Sequence, residues 1–248
     1  MIDALGQRMK ERYEDRIRIL LPRRSYTVIR IDGKAFHSYT RNLKRPFDDS
    51  ISYAMDRTAI ELCSSIQGVQ IAYVQSDEIS IITTDFDNIH TEAWFNGNLQ
   101  KIVSISSSMA TAAFNEEIIA QCSSTHSFKS ATFDARAFVI PDREEVLNYL
   151  IWRQQDATRN SIQMVAQSLY SHKELHGKNS SQLQEMIFRK GQNWDDYSIR
   201  NKRGHAIIRV ATPEDRHKWI ADTNTPIFTQ DRDYLYNKIP VHGYEQSK

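Results

Sequence analysis

Two carboxylates stand out by their setting. Asp32 follows the β-branched run Ser25 to Ile31 (SYTVIRI) and precedes Gly33, while Asp77 sits in the polar tetrad Gln75-Ser76-Asp77-Glu78 between two further β-rich runs. A strand running into a tight turn delivers Asp32 to its end, and a hairpin carries Asp77 near its tip. Brought to one sheet edge, the pair would repel unless a cation neutralised it. Hard oxygen ligands of this kind select Mg²⁺, which keeps waters and binds substrate phosphates. Two such ions would support phosphoryl transfer, one lowering the pKa of an attacking hydroxyl and one holding a triphosphate as pyrophosphate leaves. The Gly33 carbonyl would add a ligand. Spacing alone leaves an alternative open, because Asp-Gly is equally a turn dipeptide and Ser-Asp-Glu equally a hairpin tip.

The elements that position these residues are legible in the chain. Residues 3 to 20 carry Leu5, Met9, Tyr13 and Ile17 at four-residue spacing, predicting an amphipathic helix that docks on the body. After Pro46, the capping residues Asp48, Asp49 and Ser50 precede Ile51, Met55, Thr58 and Leu62 at helical spacing, with Gly68 beyond the end. Ile71 to Val74 and Ile79 to Thr83 read as the hairpin strands. A second helix follows from Leu99, Ile102, Met109 and Ala113, with small Ser106 at the missing step, and Ala131 to Ile140 as a fourth strand. Strand, helix, strand, strand, helix, strand over residues 25 to 140 is the split βαβ order. It predicts an α+β fold with a ferredoxin-like palm core, an antiparallel sheet with helices on one face.

Residues 142 to 171 form helix almost throughout, 181 to 190 form another stopped by Gly191, and His205 to Val210 reads as a strand. The tail from Pro213 is polar and has no clear assignment. With no composition break or repeat, residues 1–248 read as one elaborated domain, a palm core at 25–140 with a mostly helical C-terminal half at 141–248.

Composition narrows the class. The 248 residues are 40% hydrophobic and 25% charged with 8 Gly and 6 Pro, which excludes disordered, collagenous and coiled-coil chains. Lys and Arg total 32 against 31 Asp and Glu, so a polyanion must be met by local clusters. Cys63 and Cys122 have no companions at metal-ligand spacing, and a reducing compartment fits. The acidic N-terminal stretch has no apolar signal core, and no run spans a bilayer, so a cytoplasmic protein with no membrane partner is expected. His172 and His176 lack a third ligand, and Trp94, Trp152, Trp194 and Trp219 read as core residues rather than stacking platforms.

The motif context then becomes specific. VIRIDGKAFHSYT, KRPFDD, AYVQSDEIS, ATFDARAF, LQEMIFRKGQNW and NKRGHAI occur in this order, and together they resemble the tRNA(His) guanylyltransferase superfamily over most of residues 20 to 208. The last 40 residues lie outside that resemblance. It implies a palm-fold nucleotidyltransferase that activates an RNA 5′ end and adds nucleotides in the 3′-to-5′ direction. It further implies two Mg²⁺ ions, ATP, GTP and other nucleoside triphosphates as substrates, tRNA as partner and a homotetramer. By motif, Asp32, Gly33 and Asp77 match the metal ligands, and Glu78 joins Asp32 and Asp77 as a catalytic carboxylate. Asp32, Gly33, Lys34, Ala35, Phe36 and His37, with Ser76 and Asp77, match the nucleotide-binding stretches. Arg45 stands where the family usually has Lys, and Lys101 aligns with a helix Lys that contacts triphosphate.

One departure bears on substrate. The tRNA(His) enzymes carry His-Ile-Asn-Asn-Leu-Tyr-Asn in the long helix, whereas this chain has Thr158 to Met164 (TRNSIQM), keeping Asn160. The resemblance therefore points to the guanylyltransferase-like branch, which repairs 5′-truncated tRNAs by template-dependent addition. The alternative is a tRNA(His) guanylyltransferase adding a single G. Arg153, Arg159, Asn160, Arg200, Lys202 and Arg203 are the candidates for gripping tRNA. Two rivals share the fold class. An RNA-recognition module would need exposed aromatics where this chain has Asp32, Asp77 and Asp134, and a palm-fold nucleotide cyclase would share the acids without needing tRNA.

Overall fold

The computed structural model describes residues 4–121, 129–212 and 217–242. In chain order the elements are α1 (Ala4–Met9), β1 (Tyr26–Gly33), α2 (Phe36–Tyr39), α3 (Asp49–Ser65), β2 (Val69–Gln75), β3 (Glu78–Thr83), α4 (Leu99–Gln121), β4 (Phe133–Ile140), α5 (Arg143–Leu169), α6 (His172–Leu175), α7 (Ser180–Arg189), α8 (Ile199–Arg203), β5 (His205–Ala211), β6 (His217–Asp222) and α9 (Asp233–Tyr236). Local chemistry sets several boundaries. The Asp48 side chain accepts from the Ser50 and Ile51 amides at the start of α3, and Asp142 accepts from the Glu145 amide to open α5. Gly191, at φ 75°, follows α7 where a left-handed residue is required.

The sheet order is β4-β1-β3-β2-β5-β6, antiparallel throughout. Its first four strands with α3 and α4 reproduce the expected α+β palm. Alternation along β1 sends Ile29 and Ile31 into the cluster holding Met55, Leu62, Ile102 and Phe114, and Tyr26 and Val28 to the opposite face. Ser106 is fully buried in α4, so the gap in the apolar pattern is a small residue in tight packing.

The palm core carries α3 and α4 on one face, as expected, and the C-terminal half covers the other, where α5 packs Val146, Leu147 and Leu150 against Val28, Ile71 and Ile82. The unassigned tail completes that layer with Phe228, Leu235 and Ile239, and it also supplies β6. A sheet apolar on both faces needs two covers, and the second comes from residues distant in sequence.

The N-terminal expectation is corrected. The helical segment passes from α1 through a π turn at Lys10–Glu14 into a 3-10 turn at Asp15–Ile17, and none of its residues is buried. Leu5, Met9, Tyr13 and Ile17 are exposed rather than docked on the body. The chain rejoins the body only where Leu20 bridges Asn98 and the Leu21 amide donates to the Gly97 carbonyl. Cys63 is buried and free, while Cys122 and Pro213 lie outside the described residues. Trp152 is half exposed, the other three tryptophans being partly buried against the clusters. No described helix is long and apolar enough to cross a membrane.

Candidate active site

Asp32 lies at the end of β1, directly across from Glu78 on β3 and Asp134 on β4. Asp77 occupies the β2–β3 turn, and its carbonyl accepts from the Gly33 amide at 3.1 Å. That bond joins strand end and hairpin tip. The surrounding backbone is unusual, because Ala35 (φ 54°) and Ser76 (φ 48°) are both left-handed without being glycine. Gly33 is required here, since a Cβ would stand 2.2 Å from the Phe36 ring.

Electrostatics mark the pair. Burial and the Asp32 charge push the Asp77 carboxyl up to about 6, and Asp32 is raised by burial, then by Glu78 and Asp134. Two carboxylates that resist ionising together are a donor set a cation would relieve. Asp32, Asp77 and the Gly33 carbonyl, whose amide is already engaged, are the atoms that could hold one. Among the described residues no group of three or more His, Cys, Asp or Glu side chains is placed to bind a metal. A small ligand set suits Mg²⁺, which fills its octahedron with water and phosphate oxygens.

Beside Asp77 opens a cavity of about 340 Å³. Its walls are the 36–48 loop, the start of α3, the β2 end through Ser76 and Asp77, the α5 face bearing Asn160, Ser161 and Met164, and α8 through His205. Arg41, Lys44, Arg45 and Arg200 face it together with His37. The Phe36 and His37 amides open a helical turn, where no intrahelical acceptor exists. Cations and an adjacent acidic pair suit a bound polyphosphate.

The family described as tRNAHis guanylyltransferase matches residues 6–141. The chain belongs to this family. As a tRNA(His) guanylyltransferase family member it is a nucleotidyltransferase. A bacterial tRNA(His) guanylyltransferase-like protein in complex with ATP is 44% identical, with TM-score 0.88 over 96% of this chain and 100% of that one. A complex of such a protein with GTP is 43% identical, with TM-score 0.82 over 95% and 98%. An uncharacterised protein of Acanthamoeba polyphaga mimivirus is 30% identical over 87% of this chain and 80% of its own length. A probable tRNA(His) guanylyltransferase of Dictyostelium discoideum is 29% identical over 76% and 77%. A 96% structural match takes in most of the last 40 residues, so the family likeness reaches further than the sequence motifs do.

Several residues expected at this guanylyltransferase-type site stand elsewhere. Glu78 is adjacent but engaged, because Arg153 donates to both its oxygens at 2.8 Å. Arg153 is itself buried, and Lys202 is buried with its ammonium on the Asp195 carbonyl and carboxylate at 2.6 and 2.7 Å. Neither is offered to RNA phosphates. Arg200 is ion-paired with Asp56 at the cavity wall and Arg203 is half buried, whereas Arg159 is exposed and Asn160 lines the cavity.

Lys101 is at the wrong end of the sheet. α4 begins where the Leu99 amide donates to the Ile19 carbonyl, and reaches the Asp32 end only at Asn115, which bonds Ala131 just before β4. The helix from Lys101 to Asn115 is about 20 Å long at about 1.5 Å per residue. Lys34 is exposed, its amide bonded to the Thr132 carbonyl, and the Phe36 ring packs among Phe114 and Phe133 while bordering the cavity.

Sequence reasoning missed Arg41, Lys44 and Asp56. Arg41 follows one quoted motif and Lys44 opens the next, so both could have been found as the remaining cations of that loop. Asp56 gave no local signal, and His205, quoted within NKRGHAI among basic neighbours, gave none of its pairing with Asp56. They meet only through the fold, His205 Nε2 lying 2.8 Å from Asp56 Oδ1, with burial and then Arg200 pushing the imidazole down to about 3.

Proposed function

We propose that this protein extends the 5′ end of tRNA in the 3′-to-5′ direction, after activation of that end by ATP or GTP, and repairs 5′-truncated tRNAs by templated addition. The observation that carries this reading is the α5 wall of the cavity. Asn160, Ser161 and Met164 line it beside Asp77, within the stretch that departs from the tRNA(His) enzymes. Phosphoryl transfer depends on triphosphate positioning, whereas choice of nucleotide can be delegated to pairing with the opposing strand of the acceptor stem. The ATP and GTP complexes of proteins 44% and 43% identical support a site that accepts both nucleotides.

In this reading Asp32, Asp77 and the Gly33 carbonyl hold two Mg²⁺ ions. When bound, these supply Lewis acidity and neutralise the triphosphate. The chain's own groups orient the substrate. Arg41, Lys44 and Arg45 take phosphate oxygens, and the apolar Phe36, Met55 and Met164 exclude water. Arg159, exposed on α5, contacts the tRNA backbone. The exposed stripe of Leu5, Met9, Tyr13 and Ile17 supports an oligomer of this chain, a tetramer by family resemblance.

The test is incubation of purified protein with Mg²⁺, NTPs and a tRNA lacking its first nucleotide, with product length and sequence as readout. The expected result is addition of the nucleotide complementary to the opposing base, following that base when it is changed, with tRNAs of several identities. Addition of G to tRNA(His) alone, whatever lies opposite, would instead establish the single-G activity. Pyrophosphate release without RNA would establish a cyclase.

A further inference from the structure

We propose that Arg153 is a positioning residue that fixes the Asp77 hairpin to α5 by clamping Glu78, an inference that rests on the phosphoryl-transfer reading above. The clamp is bidentate, Arg153 Nε to Oε1 and Nη2 to Oε2, both at 2.8 Å. The Arg153 and Glu78 side chains are each at least nine-tenths buried, and the guanidinium lies 4.4 Å from the ring centroid of half-exposed Trp152. Glu78 is further held by the Gln75 amide nitrogen at 3.1 Å and the Ser80 hydroxyl at 3.3 Å, and Ser80 bonds the Tyr149 hydroxyl at 2.8 Å. The residue next to Asp77 and opposite Asp32 is thus fixed from the long helix.

A second observation gives the clamp a direction. Asp156 accepts from Arg153 Nη2 at 2.9 Å through one oxygen, and from Arg159 at 2.6 Å through the other. Asn160, which lines the cavity, reaches the same carboxylate at 3.3 Å. Charge-assisted bonds therefore run without a break from an exposed arginine and a cavity residue to the hairpin of the acidic pair. An Arg fork suits this place because its donors match both carboxylate oxygens in one plane, which a Lys ammonium cannot do. Buried ion pairs of this kind are better explained by the geometry they impose than by net stability. Without the clamp, the partly buried Arg30, 4.0 Å away, would be the remaining ion-pair partner of Glu78 beside Asp32 and Asp77.

Arg153→Lys tests this on the full chain. Its Mn²⁺ affinity is measured by calorimetric titration, its tRNA affinity and salt dependence by filter binding, and its single-turnover rate with 5′-truncated tRNA. The expected result is a Mn²⁺ affinity weakened at least fivefold and a rate lowered ten- to hundredfold, with tRNA affinity within twofold and an unchanged salt slope. Weaker tRNA binding with a shallower salt slope and normal Mn²⁺ affinity would make Arg153 an RNA contact and overturn the inference. Arg153→Met combined with Glu78→Gln removes both charges and guards against misfolding. It is expected to melt near the wild type yet still bind Mn²⁺ weakly, and wild-type Mn²⁺ affinity in that variant would also overturn the inference. If the wild type binds Mn²⁺ and Arg153→Lys matches it in every readout, the inference alone fails. If the wild type binds no Mn²⁺, the proposed function falls and takes the inference with it.

Discussion

The Gly33 amide donates to the Asp77 carbonyl at 3.1 Å, so the end of β1 and the tip of the β2–β3 hairpin move as one piece. With the β1–β3 register, which sets Asp32 across from Glu78, this bond holds two acidic residues 45 positions apart in sequence at one sheet edge.

Replacing those acids separates chemistry from folding. Asp32→Asn and Asp77→Asn are expected to abolish nucleotide addition while leaving the fold intact. Asp77→Asn should also stabilise the metal-free protein at pH 7 by about 1–2 kcal/mol. Its carboxyl is held near 6 against an ordinary 3.8, each unit corresponds to about 1.4 kcal/mol, and partial exposure reduces the total. Urea denaturation of the two variants in EDTA checks this, and a destabilised Asp77→Asn would show that its charge supports the fold.

Gly33→Ala forces a Cβ to 2.2 Å from the Phe36 ring, which Phe114 and Phe133 hold in place with centroids 5.4 and 5.3 Å away. Overpacking of this kind costs about 1–3 kcal/mol. Denaturant midpoints should fall accordingly, and Phe36→Leu in the same chain should recover part of the loss.

His205 makes stability depend on pH. Its folded value is about 3 against 6.5 in the open chain, so the unfolded state binds the extra proton between those values. The contribution is fully present above about pH 6.5 and declines by roughly 1.4 kcal/mol per pH unit as acid is added, until the folded group titrates. Denaturation at pH 7.0 and 5.0 should show a larger loss for the wild type than for His205→Asn. Equal losses would mean that Asp56 holds the imidazole charged.

The N-terminal stripe predicts assembly. Tyr13 is 66% and Ile17 72% exposed, and a charge at either position disfavours burial against a partner. Light scattering is expected to give an oligomer for the wild type and smaller species for Ile17→Asp. A monomer at all concentrations would remove the stripe as an interface.

How much of this was legible in the sequence varies by residue. Asp32, Asp77, the Asp48 cap and the alternation of Ile29 and Ile31 were all readable, because caps, turns and strand periodicity are set by neighbours a few positions away. The same local rules gave the palm order and the long helix. What they could not give was the partner of each charge. Arg153 and Arg159 share one helix and similar chemistry, yet one is buried on Glu78, 75 residues away, and the other is exposed beside Asp156. Lys101 has a suitable charge and helix but the wrong end of the sheet, and the tail residues Phe228, Leu235 and Ile239 found their place only against a face that α5 had already begun to cover. A charged side chain takes its role from whichever opposite charge the packed layers bring within about 3 Å. That distance is decided by long-range sheet and helix packing and has no counterpart in local sequence pattern.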